Sequence, residues 1–135
     1  MDYNFKDAKW QMFSFTNFYL SGIQKGIQSW HAATRLGLRS DAFQYRNWAA
    51  NHETIIVCDG GDSEKLQNIY DELFFGSGFD HDKFHERGLN DALTAIVIVL
   101  PDWMYQSDLY NVVNNVNTEH RELRKFMSLR KLAAN

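Results

Sequence analysis

The chain has 135 residues, 44% of them hydrophobic and 15% aromatic, with a formal net charge of −3. That is enough for one domain with its own core, and the single cysteine, Cys58, excludes an intrachain disulfide or a cysteine-cluster metal site. Residues 1–118 carry −6 and residues 119–135 carry +3, so the acidic body argues against strong non-specific nucleic-acid binding, while the basic end reads as a solvated helix face.

No run reaches the roughly 20 apolar residues of a membrane span. Residues 1–7 have neither the basic nor the apolar stretch of a secretion signal. The expected setting is cytoplasmic, with no membrane contact.

Residues 9–17 (KWQMFSFTN) predict a first strand, in which Trp10, Met12, Ser14 and Thr16 alternate with Gln11, Phe13, Phe15 and Asn17. Large apolar groups on both faces mark an interior strand. Ser21 is placed to cap a helix running to about Leu36, with Gly22 easing the turn and Gly37 ending it. On that helix Gln24, Gln28 and His31 stand at i, i+4 and i+7, beside a mostly apolar stripe of Ile23, Ile27, Trp30 and Thr34. Amide N–H groups at a helix start lack intrahelical partners and favour an anion, which makes this segment a candidate ligand site.

Residues 41–51 predict a short second helix from Phe43, Arg46, Asn47 and Ala50, with Trp48 either on it or plugging the core from a loop. Residues 53–59 (ETIIVCD) predict a second strand suited to the sheet interior, with Cys58 as a small core residue. Asp62 or Ser63 then caps a third helix whose apolar stripe is Leu66, Ile69, Tyr70 and Leu73, ended by Gly76-Ser77-Gly78. Residues 79–87 (FDHDKFHER) suggest a polar edge strand, and residues 93–100 (LTAIVIVL) a central buried one closed by Pro101. A last helix is expected over residues 105–132, about 42 Å long, with Leu109, Val112, Val113, Val116, Leu123 and Met127 on one face. At that length it either wraps the sheet and breaks or packs its far end on another subunit, and a homodimer contact is the favoured reading.

Helical patterns between strands imply an α/β sandwich with a mixed sheet, because the last two strands are joined too tightly for a helical crossover. Residues 1–103 form the α/β domain and residues 104–135 its helical extension.

Three segments now stand in a telling order: Gln28-Ser29-Trp30-His31-Ala32, then Trp48 ahead of the second strand, then Glu86-Arg87-Gly88 leading to Thr94-Ala95-Ile96. In this order they resemble the type-2 peptidyl-tRNA hydrolase family over about residues 10–100. The resemblance implies a three-layer fold with a four-stranded sheet, and action on peptidyl-tRNA or another acylated nucleotide without metal or cofactor. It implies Gln24, Lys25, Glu86 and Asn90 as catalytic positions, and Gly22, Gln28, His31 and Thr94 as ligand-binding ones. The implied partner is tRNA or a nucleotide-like ligand.

The chain also departs from the family pattern. The hydrolases keep an essential lysine where this sequence has Gln24, with Lys25 one step, ~100°, further round the helix. The family's late aspartate becomes Glu86, and its Thr-Gln pair falls on Asn90-Asp91, so Thr94 substitutes for the hydroxyl only if the loop register differs. A second class therefore stands beside the hydrolase: a non-catalytic nucleotide- or RNA-binding or regulatory module.

Other readings compete at single residues. Gln28 and His31 either line a ligand wall or bond neighbouring backbone. Glu86 is either a general base, if burial raises its pKa, or the partner of Arg87, Arg35 or Lys25. Asp80, His81, Asp82, His85 and Glu86 crowd metal-type donors together, but strand alternation sets Lys83 between His81 and His85, so no metal site is expected. Asp59-Gly60-Gly61-Asp62 lacks a P-loop lysine and reads as a turn plus a cap.

Overall fold

A computed structural model describes residues 5–106, 109 and 118–134. Its four strands are β1 (Trp10–Asn17), β2 (Ile55–Gly61), β3 (His81–Glu86) and β4 (Ala92–Pro101), in the spatial order β2-β1-β4-β3. β1 and β2 run parallel, while β1–β4 and β3–β4 are antiparallel. The parallel pair needs a crossover, which α1 (Gly22–Gly37) and α2 (Phe43–Asn51) supply. A single 3-10 turn, Arg87–Leu89, lies between β3 and β4. The α/β class and the mixed four-stranded sheet are as expected.

Helices pack on both faces because β1 and β4 are apolar on both. Met12, Ala95, Val97 and Val99 meet Ala32 and Leu36 of α1, with Ala42 and Trp48 beside them. Trp48 belongs to α2 and donates from Nε1 to Thr54 O at 2.7 Å. On the other face Phe13, Phe15, Ile96, Ile98 and Leu100 meet Leu66 and Ile69 of α3 (Ser63–Ile69). Phe74, Met104, Leu123 and Met127 complete that layer. Each such side chain contributes about 1.5–3 kcal/mol relative to exposure.

Two expectations need correction. β2 lies at an edge of the sheet rather than in its interior, and Ile55 is exposed. Its outer side is covered by the last described residues: Cys58 forms an antiparallel bridge with Leu132, Asp59 N donates to Lys131 O at 2.9 Å, and Ala133 N donates to Val57 O at 3.0 Å. A β-branched run suits an edge that other backbone closes as well as it suits a central position.

The single helix over residues 105–132 is also replaced. A short α4 (Asp102–Tyr105) gives way to extended backbone at Gln106, and α5 covers Thr118–Ser128. Val112, Val113 and Val116 lie outside the described residues. Arg130 explains the stop: its Nη1 donates to Met127 O and Tyr105 O at 2.7 and 3.2 Å, and its guanidinium sits over the Phe13 ring. A cation there satisfies carbonyls at a helix C-terminus. On the apolar face expected of that helix, Leu123 and Met127 pack into the core beneath the sheet and are fully buried. The third helix also changes form, widening into a π-helical turn over Tyr70–Phe74.

α1 presents an unusual face to the sheet. Lys25, Gln28, Ser29, Ala32 and Leu36 are buried at helical spacing, whereas Ile23 and Trp30 are 80% and 64% exposed. Polar groups tolerate that burial only when paired. Ser29 is paired twice over, with its hydroxyl 2.7 Å from both Ser14 Oγ and Lys25 O.

Among the described residues, no helix is long and apolar enough to cross a membrane.

Candidate functional site

The site begins with an irregularity in the sheet. Phe84 of β3 pairs with Ala95 of β4, but His85 pairs with Leu93, so Thr94 has no partner in the ladder. Such a bulge re-aims a side chain. Strict alternation would turn Thr94 away from the face that carries Ala95; instead its hydroxyl meets Gln28 of α1.

From there a polar line crosses to the end of β3. Thr94 Oγ1 donates to Gln28 Oε1 at 2.6 Å, and Gln28 Nε2 donates to Glu86 Oε2 at 2.9 Å. Gly88 N donates to Glu86 Oε1 at 3.2 Å. An ionised carboxylate only accepts, so Glu86 fixes which end of the Gln28 amide faces it, and that end leaves Oε1 for the hydroxyl. These bonds hold the Glu86 carboxyl below its ordinary pKa: the Gln28 bond acts most, then the Gly88 bond, with a small attraction from His31. The condition set for a general base, a pKa raised by burial, is thus not met, because hydrogen bonds to the charged form outweigh desolvation. Glu86 is an ionised acceptor, better suited to orienting a donor than to abstracting a proton at neutral pH.

This carboxylate borders an open cleft of about 320 Å³ lined by Leu20, Gln24, Ile27, Gln28, Glu86, Gly88 and Leu89. Beside it the His31 ring stacks on Phe84, with centroids 4.6 Å apart and planes 13° off parallel.

No protein-family model matches this chain, and no curated protein matches it significantly. Fold and site therefore define it as an α/β domain with a carboxylate-bearing cleft between a helix and the edge of its sheet.

The structure brings Gln24, Gln28 and Glu86 to one cleft, with Thr94 behind it. Gln24 also has a local duty. Its N–H donates to Ser21 Oγ and its Oε1 accepts from Ser21 N, at 3.2 and 3.1 Å, forming a capping box that begins α1 at Gly22. Lys25 does not join the cleft: it is 6% exposed, and its Nζ donates to Ala134 O. Asn90 is exposed in left-handed backbone (φ 55°) at the turn into β4 and does not line the cleft. None of Arg87, Arg35 and Lys25 forms an ion pair with Glu86 among the described residues.

The metal-type cluster is dispersed. His81 Nδ1 faces Phe79 O, Asp80 Oδ2 accepts from Tyr45 N, and His85 Nδ1 faces Asp91 O. Among the described residues, no three His, Cys, Asp or Glu converge on one point. Cys58 is a core thiol, pushed up to about 11 by burial.

Four lining residues were given no site role by the sequence: Leu20, Ile27, Gly88 and Leu89. Ile27 stands one turn from Gln24 and Gln28, so helical spacing placed it nearby. Gly88 stood in the Glu86-Arg87-Gly88 motif, but it acts through its backbone N–H, so its bond to Glu86 left no side-chain signal to read.

Proposed function

We propose that this protein is a relative of the type-2 peptidyl-tRNA hydrolases that takes an acylated nucleotide, such as the acylated end of a tRNA, in the cleft between α1 and Glu86. The observation that supports it best is the Thr94–Gln28–Glu86 line. It links three positions of the resembled motifs and holds an ionised carboxylate at the cleft wall. Glu86 accepts a hydrogen bond from the attacking water and orients it. Attack on the ester carbon breaks the acyl–oxygen bond and yields a carboxylic acid and a nucleotide with a free hydroxyl. Gly22 offers an amide at the α1 start, and exposed Trp30, one turn past Ile27, offers a face on which a base can stack.

The test is turnover of peptidyl-tRNA by the purified protein beside its Glu86→Gln variant. A loss on the order of 10²-fold or more in the variant supports hydrolysis, since positioned acid–base groups are worth about that. Absence of turnover at high protein concentration removes it.

A second reading, a module that binds the acylated nucleotide without cleaving it, is favoured by one observation. Gln24 is committed to a cap and Lys25 to Ala134 O, so no ammonium lines the cleft. Binding of a nucleotide ester that stays intact identifies this reading.

A further inference from the structure

We propose that the outward face of α1 is where two copies of this chain pair, antiparallel helix on helix, so that each copy places its Trp30 at the mouth of the other's cleft. The pairing stands on its own observations; only the use of that indole by a nucleotide base rests on the acylated-nucleotide reading.

Turned away from the sheet, Ile23, Ile27, Trp30 and Thr34 are exposed at spacings of four, three and four residues. That is the alternation of a heptad seam, the pattern on which two helices interlock. The patch widens at the start of α1, where Phe18 and Tyr19 are exposed with their rings edge to face, and across the cleft at Leu89. At about 200 Å² for a fully exposed large side chain, the exposed fractions of Ile23, Ile27, Trp30, Phe18, Tyr19 and Leu89 amount to roughly 700 Å². The largest apolar patch of a typical monomer is about 300–600 Å². A stable interface of standard size takes about 800 Å² from each partner, which is the extent this face reaches once Thr34 and a polar rim are added.

The chemistry of the face selects a second copy as its occupant. The charged residues of α1 are Lys25, which is buried against the sheet, and Arg35, which lies off the seam. Gln24, Gly26, His31 and Ala33, which flank the seam, carry no formal charge. A nucleic acid would find no phosphate-binding cations there, whereas the seam meets its own copy without burying a charge. A two-fold pair must also be self-complementary. Parallel helices would set Trp30 against the partner's Trp30 and align the two helix dipoles. Antiparallel helices set Trp30 against the partner's Ile27 and Ile23 against the partner's Thr34, and they oppose the dipoles. Because Ile27 lines the cleft, the partner's Trp30 then stands at the cleft mouth, where its indole offers a base a stacking face.

Sedimentation equilibrium of the full chain from about 1 to 100 µM, a range that reads micromolar affinities, should give twice the 15.8 kDa of one chain at the upper end. Ile23→Lys and Ile27→Lys change exposed positions. Each should weaken pairing at least about tenfold while leaving the circular dichroism native. Orientation is read by cross-linking, since Cys58 is buried. Ile27→Cys chains mixed with Trp30→Cys chains should form a mixed disulfide on oxidation, because facing residues approach the roughly 4.4–6.8 Å Cα separation that the bond needs. Ile23→Cys alone should stay unlinked. A single-chain mass throughout the range overturns the proposal and assigns the face to a different protein. A dimer that both lysine variants leave intact overturns it too, as does cross-linking of Ile23→Cys with none between positions 27 and 30. Pairing on the expected terms, with neither binding nor turnover of a nucleotide ester, upholds the inference and removes the acylated-nucleotide reading.

Discussion

Lys25 reaches across a sequence separation of 109 residues to donate from Nζ to the carbonyl oxygen of Ala134 at 2.7 Å. The ammonium that follows Gln24 in the sequence is therefore spent on the residues that close β2, not on the cleft. One turn on, Gln28 lies on the same buried face and serves Glu86. α1 thus divides its buried polar groups between two edges of the sheet.

If Lys25 is a fastener, Lys25→Met should loosen the residues near Leu132 that close β2 and leave cleft chemistry alone. A charge-assisted bond of this kind contributes about 1.5–3 kcal/mol. The amides of Asp59 and Ala133, which bond between β2 and those residues, should exchange at least about tenfold faster, as a local opening of that size implies. Hydrogen exchange read alongside cleft binding checks this. Weakened binding with unchanged protection would return Lys25 to the cleft.

Gln28→Leu should raise the Glu86 pKa, because it removes the largest of the bonds that lower it. The linkage has a definite sign. A folded pKa below the ordinary 4.5 means that the network stabilises the fold above that value and loses its contribution as pH falls through the lower folded one. Native protein should lose more stability between pH 7 and strongly acid conditions than the variant does. Carbon-detected titration of Glu86, with urea midpoints at both pH values, gives the answer; an unmoved titration would refute the assignment.

Gln24→Lys places at this position the residue type that the resembled hydrolases keep. It removes the bond from Ser21 N to the Gln24 side chain, for which a cost within about 1 kcal/mol is expected. On the hydrolytic reading, cleavage of an N-blocked nucleotide ester should rise about tenfold or more, since a charge placed where a transition state needs it is worth at least that. A stable variant with no gain in cleavage favours the binding module.

Two glycines should respond in opposite directions to alanine. A Cβ on Gly60 would lie 2.3 Å from Leu66 Cδ2 and 3.1 Å from Thr16 O, whereas one on Gly26 meets nothing within 4 Å. Gly60→Ala should destabilise by about 1–3 kcal/mol through overpacking. Gly26→Ala, in the interior of α1, should stabilise by about 0.5–1 kcal/mol. Denaturant midpoints of the two variants decide it.

What the sequence made legible follows the range of the forces involved. The alternation in β1, the unbroken apolar run of β4 and the Ser21 and Asp62 caps are local, and each element forms where its pattern lies. β2 was misplaced because Ile55-Ile56-Val57-Cys58 has the same composition whether a strand or the residues near Leu132 lie beside it. The helix over residues 105–132 failed because its period carries no mark of where Gln106 turns extended or where Arg130 caps α5. At the site, Gln28 and Glu86 were readable from motif order. The commitments of Lys25 and Gln24 were not, since those depend on Ala134 and on the precise start of α1.

The unpaired residue in β4 makes the polar line a matter of counting as well as chemistry. Deleting position 94 would leave Leu93 adjacent to Ala95, restore an unbroken ladder against β3 and strand the Gln28 amide oxygen without a donor. A hydroxyl supplied at position 93 would then face the side of Phe13 and Leu66, away from Gln28. In any related chain, the number of residues from the glycine after the carboxylate to the last strand would therefore tell whether this cleft is built, even where every side chain in it has changed.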